Sequence, residues 1–472
     1  MSIVSNNTLQ QNGVAAKNGN PVVVIGAGLA GSEAALQLAE RNYQVKLFEM
    51  RPQIQTAVHK TDQFAELVCS NSLKSTKPES AAGMLKSELA SLNSYLYKYA
   101  CKHAVAAGGA LAVNRESYSL EITQLIESHP LIEVLRSEVT SIADVTRDAS
   151  AVIVASGPLT SDALAADLQT ITGEEHMAFY DAAAPIVMAD SLDFDKLFVQ
   201  SRYEESTEAA VGDYLNAPFT QDEYDAFIRE LIAADRVIAK SFETKELFSA
   251  CQPIEEIARK GHDAPRFGTL KPVGLTDPRT GKRPWAVLQL RAEDKQGQSF
   301  NLVGFQTNLT FGEQRRVFRM IPGLEHAEFA RFGVMHRNTF INAPQLLDRS
   351  LRLVTQKAAE LPVPVFVAGQ LAGTEGYAEA IRSGLHVALE VSAYLRQIET
   401  PVVPKEMVFG ALLAYATDAN TVDYQPMHVN FGIIEPLEVR IKNKGQRYQA
   451  YAERGLDACM RYCEDLRKLG LL

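Results

Sequence analysis

Cysteine is scarce in this chain: Cys69, Cys101, Cys251, Cys459 and Cys463 make an odd set of five with no CxxC pair. That pattern excludes a disulfide framework and a thiolate zinc site of the usual spacing. Cys459 and Cys463 stand at i, i+4 on one helical face and read as ordinary helix residues. The nine histidines fall into no HExxH or comparable ligand spacing, so no metal is expected. Long apolar runs are also missing. The longest, around Val408 to Ala416, falls far short of the ~20 residues that cross a bilayer. Residues 1–20 are rich in Asn, Gln and Gly and lack the apolar core of a signal peptide, so they read as a disordered tail. A cytoplasmic protein with no membrane partner is the expectation.

Positive charge is in deficit too. A net charge of −10 argues against general affinity for nucleic acid, whose phosphates attract Lys and Arg. It does not exclude a local basic face. Two groups qualify: Arg315, Arg316 and Arg319, and then Arg440, Lys442, Lys444 and Arg447. Either is equally readable as a solvated helix face.

The most informative segment follows the tail. Val22 to Ile25 is a short β-branched run of the kind found in buried parallel strands. Gly26, Gly28 and Gly31 follow at GxGxxG spacing, with Ala27, Leu29 and Ala30 between them in the same cofactor-binding turn. The first glycine permits the tight turn, the second lets backbone approach a pyrophosphate, and the third lets helix and strand pack closely. From Ser32 to Arg41 the pattern is helical, so its N-terminal N–H groups point at the phosphates. Val45 to Phe48 is a second strand ending in Glu49, whose carboxylate is placed to take ribose hydroxyls.

FAD is favoured over NAD by two later returns to the same fold. Ala151 to Gly157 is a strand followed by a small-residue turn. Val365 to Gly369 is another, followed by Gln370, Gly373, Gly376 and a helical run from Tyr377 to Tyr394. Gly369 and Gln370 are therefore added to the cofactor-binding residues. Between the returns the texture changes: Trp285 to Leu290 and Asn301 to Phe305 alternate like antiparallel strands, and Tyr224 to Ala239 reads as a helix. At 472 residues, two domains are the default. The expected fold is α/β, a Rossmann-like FAD-binding domain (21–184 and 333–472, the latter with C-terminal helices) carrying an inserted α+β domain (185–332).

Ten blocks along the chain carry a family resemblance: GAGLAGSEAA, EMRP, TDQFAELVCSNSLKS, GGALAVNR, GPLTS, FYDAAAPIV, KPVGL, VGFQTNL, GVMHRNTFIN and QPMHVNFG. In this order they closely resemble the TrmFO family, the folate- and FAD-dependent tRNA (uracil-5-)-methyltransferases. The match runs from about Pro21 to the C-terminal region. It implies a flavoprotein that takes a one-carbon unit from 5,10-methylenetetrahydrofolate and makes 5-methyluridine in the T-loop of tRNA. NADH or NADPH would supply reducing equivalents, and no obligate protein partner is expected. Departures are few. Lys60 follows His59 where relatives often carry a second His. Ile381 and Arg382 stand where small residues are usual, and are expected to alter the pocket entrance.

Carbon 5 of uracil is a poor nucleophile until a thiolate adds at carbon 6. The resemblance places Cys69 and Cys251 among the family's catalytic cysteines; without it they read as structural thiols. Cys251 stands just before Pro253 and an expected helix, whose N-terminus would help hold a thiolate. It is assigned as the carbon-6 nucleophile, and Cys69 as the partner in proton transfer or adduct resolution. Asn71 and Ser72 either read the uracil edge or form a polar turn. Arg337 and Asn338, with His336, are folate candidates, since a guanidinium suits glutamate carboxylates; a structural role is the stronger alternative for His336. Lys271 and Arg291 are read as phosphate or folate contacts or as surface salt bridges. The rival readings are the same chemistry on a ribosomal RNA uridine, a wobble-uridine tRNA-modifying flavoprotein, and a simple flavin reductase. The Cys69 and Cys251 pair counts against the last.

Overall fold

The computed structural model describes residues 19–56, 58–173, 177–203, 214–238, 252–294, 296–421 and 424–472, with the side chains of 177–182, 336 and 337 outside that set. The expected tail at 1–20 therefore falls almost wholly outside the described residues.

A five-stranded parallel sheet forms the first layer. Its strand order is Val365–Val367, Ala151–Val154, Val22–Ile25, Val45–Phe48, Ile132–Leu135. Val22 lies opposite Val45 on one side and Ala151 on the other. The fingerprint strand is thus central, and all of Val22 to Ile25 are buried, which explains their unbroken apolar character. The α/β class and both returning strands are as the sequence predicts.

Helix Leu29–Glu40 is buried along nearly its whole length, polar residues included. Glu33 is one of these. Its carboxylate accepts from the N–H groups of Tyr95 (3.2 Å) and Leu96 (2.8 Å), at the start of helix Tyr95–Lys102. The other partner of helix Leu29–Glu40 is helix Tyr377–Arg396, which extends slightly beyond the expected run. The two meet at backbone distance, because a Cβ on Gly384 would lie 2.1 Å from the Ala30 carbonyl oxygen.

A second core surrounds a six-stranded antiparallel sheet. Its order is Phe198–Val199, Tyr214–Phe219, Ala286–Ala292, Ser299–Leu302, Ile186–Met188, Phe329–Arg331. Phe219, Phe227, Phe305 and Phe318 fill it as a chain of ring contacts. The helix expected at Tyr224 begins at Gln221, where Thr220 and Glu223 form a reciprocal capping box, and it ends at Ala233. The two cores are bridged by strand Met177–Ala182 pairing antiparallel with Met335–Phe340. No described helix is long and apolar enough to cross a membrane.

Ile381 and Arg382 do not shape a pocket entrance. Both are fully buried, and neither borders the cavity at the carboxyl ends of the parallel strands. The Arg382 guanidinium lies 4.2 Å from the Phe409 ring and 3.9 Å from Glu88, inside the helical layer.

The helix contact predicts its own test. Alanine normally stabilises a helix by about 1 kcal/mol over glycine. Gly384→Ala should instead lower stability by about 1–3 kcal/mol, because the added methyl meets unyielding backbone. Urea midpoints of wild type and variant measure the sign.

Candidate functional site

A cavity of about 450 Å³ opens at the carboxyl ends of the parallel strands. The three fingerprint glycines face different surroundings there. Gly26 has φ +98°, and a Cβ on it would strike the Ala155 carbonyl at 2.6 Å. A Cβ on Gly31 would sit 1.8 Å from the Gly26 oxygen. Gly28 borders the cavity, and its Cβ would meet nothing within 4 Å. The first and third close the turn, and the second leaves backbone open to a ligand. Leu29 and Ala30 border the cavity; Ala27 is fully buried beneath it.

Glu49 ends its strand in the cavity wall. Its carboxylate accepts from the Ala27 N–H (3.1 Å) and from the N–H (3.1 Å) and Nε (2.9 Å) of Arg51. Burial pushes this carboxyl up, but the hydrogen bonds and charge of Arg51 outweigh it and hold the pKa below its ordinary value. Glu49 is thus kept as an anion, the form that accepts from hydroxyls. Arg51 also pairs with Glu66 at 3.2 Å.

The opposite wall is the second return. Gly369 has φ +77°, and its N–H donates to Ser383 Oγ at 2.7 Å. Gln370 donates to Glu375. Gly376 has φ +114° and provides no side-chain cap, so helix Tyr377–Arg396 opens onto the cavity with its first-turn N–H groups. An open glycine turn, an ionised acid at a strand end and an uncapped helix N-terminus together fit a dinucleotide.

Cys69 lies on this cavity. Its backbone N–H and that of Ser70 both donate to the Tyr377 hydroxyl oxygen, at 2.8 and 3.0 Å. Burial, reinforced by the neighbouring Cys69, drives the Tyr377 phenol well above its ordinary pKa, so it stays neutral. Arg115 pairs with Glu293 through Nε (2.7 Å) and Nη2 (2.9 Å), and donates to the Leu67 carbonyl at 2.9 Å. Arg331 donates to the Val68 carbonyl. Burial, then the neighbouring Arg115, lowers the Arg331 pKa, while Cys69 acts in the opposite direction. Two guanidinium groups therefore hold the backbone just before Cys69.

Asn71 is fully buried and does not border the cavity. Its amide donates to the Ala292 carbonyl (3.1 Å) and accepts from Arg291 Nε (2.7 Å), so it binds the Cys69 loop to the second sheet. Arg291 is accordingly buried, and is not a surface salt bridge. Ser72 and Asn338 do border the cavity. His336 and Arg337 lie on strand Met335–Phe340 in register with Asp181 and Tyr180, but their side chains lie outside the described set. Cys251 lies outside the described residues altogether. The helix expected after it is present as Ile254–Lys260, with Glu255 and Glu256 in its first turn. Cys459 and Cys463 are buried on the C-terminal helix, as expected of ordinary helix residues.

Gly28→Leu should leave a folded protein with the wild-type urea midpoint and no bound dinucleotide, because the space its side chain would fill is ligand space. Absorbance of the purified variant between 350 and 500 nm reads the outcome. A normal flavin band would overturn this account of the turn.

Comparison with known proteins adds lineage to this geometry. Residues 21–399 match the family model of glucose inhibited division protein A. The methylenetetrahydrofolate--tRNA-(uracil-5-)-methyltransferase TrmFO of Desulforamulus reducens is 50% identical over 443 residues, covering 94% of this chain and 97% of that protein. The protein of the same name from Listeria monocytogenes serotype 4b is 48% identical over 445 residues, covering 94% and 99%. Among solved structures, GidA from Aquifex aeolicus in its form II crystal superposes with a TM-score of 0.68 at 18% identity, over 96% of this chain and 74% of that one, a likeness of fold. With half its residues shared across nearly its whole length, the chain belongs to the TrmFO family.

Proposed function

We propose that this protein methylates carbon 5 of the T-loop uridine of tRNA, using FAD, 5,10-methylenetetrahydrofolate and NADH or NADPH. The observation that carries the reading is Cys69 on the dinucleotide cavity, with its backbone held by Tyr377 and its neighbours by Arg115 and Arg331. Relatives half identical to the chain bear the corresponding enzyme name.

Bound FAD supplies the two-electron reduction that converts a methylene group to methyl. The chain's own residues do the rest. The Cys251 thiolate adds to carbon 6 of uracil, and the electron pair displaced to carbon 5 forms the new carbon–carbon bond to the one-carbon unit. Cys69 takes the proton from carbon 5 as the bond between the methylene and its carrier breaks, leaving an exocyclic methylene on the ring. Once that carbon has gained a hydride, the carbon–sulfur bond breaks, restoring the ring double bond and freeing Cys251. Arg115 and Arg331, through the Leu67 and Val68 carbonyls, position the loop that carries Cys69. Ser72 and Asn338, on the same wall, supply polar contacts to uracil or folate, with His336 and Arg337 as further folate contacts.

Incubation with labelled methylenetetrahydrofolate, NADH and unmodified tRNA should place the label in 5-methyluridine without S-adenosylmethionine. Label accepted only by ribosomal RNA in a parallel incubation would move the substrate; unlabelled product would sink the folate assignment. Cys251→Ala should abolish product while leaving FAD content and its reduction intact. It should also lose the covalent complex with RNA bearing 5-fluorouridine, because fluorine cannot leave as a proton. Trapping lost only on Cys69→Ala would exchange the two roles.

The RNA face is assigned to the start of the C-terminal helix, Lys444–Lys468. Arg440, Lys442 and Lys444 are exposed there. Lys444 and Arg447 lie 5.4 and 5.6 Å from the Tyr448 ring, which stacks on Phe431 at 4.0 Å. The alternative cluster is largely occupied: Arg316 pairs with Glu230 and Glu313, and Arg319 donates to the Ala327 carbonyl. Reversing Arg440, Lys442 and Lys444 together should weaken tRNA binding and flatten its salt dependence, with FAD reduction unchanged. Unaltered filter binding across a salt series would move the footprint elsewhere.

A further inference from the structure

Lys74 brings a positive charge to the cavity wall at the start of helix Tyr377–Arg396. Lys74 holds a left-handed backbone conformation, φ +66°, that lysine rarely adopts. Its ammonium reaches the cavity 3.6 Å from Glu379 Oε1. A Cβ on Gly376 would lie 3.3 Å from that ammonium, so the charge sits beside the start of helix Tyr377–Arg396. Glu379 is buried in the first turn of this helix and also accepts from the Val429 N–H at 3.2 Å. Behind it lies a second lysine, Lys86, buried and donating to the Ser75 and Ala82 carbonyls at 2.9 and 3.1 Å.

Two ammonium groups thus stand around Glu379, while Glu375, the second carboxylate on this wall, accepts from Gln370, and the helix N-terminus adds its partial positive charge. Burial first, and then Lys74, lowers the pKa of the neighbouring His428, which disfavours a third cation there. Gly28 and Glu49 mark the pyrophosphate and ribose portions of the cavity, so the Lys74 wall is left for the redox-active ring. A reduced flavin is more negative than an oxidised one, and charge placed beside it sets its potential.

We propose that Lys74, braced by Glu379, is the residue that raises the reduction potential of the bound flavin in this protein. The Lys74 ammonium would favour hydride transfer from a reduced nicotinamide, in which a bound flavin would gain two electrons and one proton, by stabilising the negative charge left on the ring. Glu379 acts in the opposite direction, holding the lysine in place while offsetting part of its field.

This inference rests on the FAD reading but not on the RNA substrate, so it is tested on FAD-loaded protein without RNA or folate. Equilibration with a reference dye gives the midpoint potential. The measurement is made at pH 6, below the value of about 8 to which burial brings Lys86. Lys74→Met should shift the oxidised-to-reduced ratio at least tenfold toward oxidised, about 30 mV for a two-electron couple. Lys74→Arg should restore it. Glu379→Gln should shift the potential in the opposite direction, which a mere loss of packing would not do. If Lys74→Met holds no flavin, the sign of the Glu379→Gln shift decides alone. An unchanged potential in Lys74→Met at equal FAD content, or shifts of one sign in both variants, overturns the proposal. Wild-type protein that binds no FAD overturns it together with the cofactor reading.

Discussion

Everything at the site depends on how closely two helices approach at Ala30. Its carbonyl lies where a Cβ on Gly384 would be, at 2.1 Å, and its own Cβ lies 3.1 Å from where one on Gly369 would be. Glycine on both sides of an alanine lets helices Leu29–Glu40 and Tyr377–Arg396 touch backbone to backbone. The contact brings the N-terminal glycine turn and the C-terminal glycine turn onto one cavity, although most of the chain separates them. A larger residue at any of these positions would part the helices and split the site into two unrelated loops. The parallel sheet supplies the platform, but this contact supplies the enclosure.

The second sheet is fastened to that platform by buried polar groups. Asn71 reaches Ala292 and is held by Arg291, Arg115 pairs with Glu293, and Arg331 reaches Val68. Buried charges are costly unless paired with good geometry. Here each one is engaged within a few residues of Cys69, and each bond spans the two cores. For Arg115, burial alone would lower the pKa, but Glu293 more than offsets it, so the guanidinium remains charged where it is needed. The bonds these groups make hold the loop that carries the thiol against the second sheet.

What the sequence reveals about this site follows from how local each feature is. The GxGxxG turn, the acid at the end of the next strand and the helix after Gly376 are written in consecutive residues, so spacing alone exposes them. Asn71 looks like one polar residue among several in SNS, and only the strand opposite shows that both ends of its amide are occupied. Arg115 was visible inside GGALAVNR but without a partner, since Glu293 comes from the other core. Tyr377 reads from sequence as the start of a helix; its hydroxyl becomes informative only once Cys69 and Ser70 are found beneath it. Arg382 misled for the same reason. Standing where the family usually has a small residue, it suggests a changed pocket entrance, but Phe409 and Glu88 receive it inside.

The same distinction between local and distant partners governs the surface charge. The protein as a whole is acidic, with a net charge of −10, so a polyanion is repelled at long range and must be captured at short range. A cationic cluster is useful for that only if its charges are not already neutralised. Arg316 is held by two carboxylates, one of them from a different helix, and the field of its group is largely cancelled nearby. Around Lys444 the cations instead surround an aromatic stack, where a ring face can take a base while the ammonium and guanidinium groups meet phosphate. In an acidic protein, a cluster of this kind confines attraction for a polyanion to one patch of the surface.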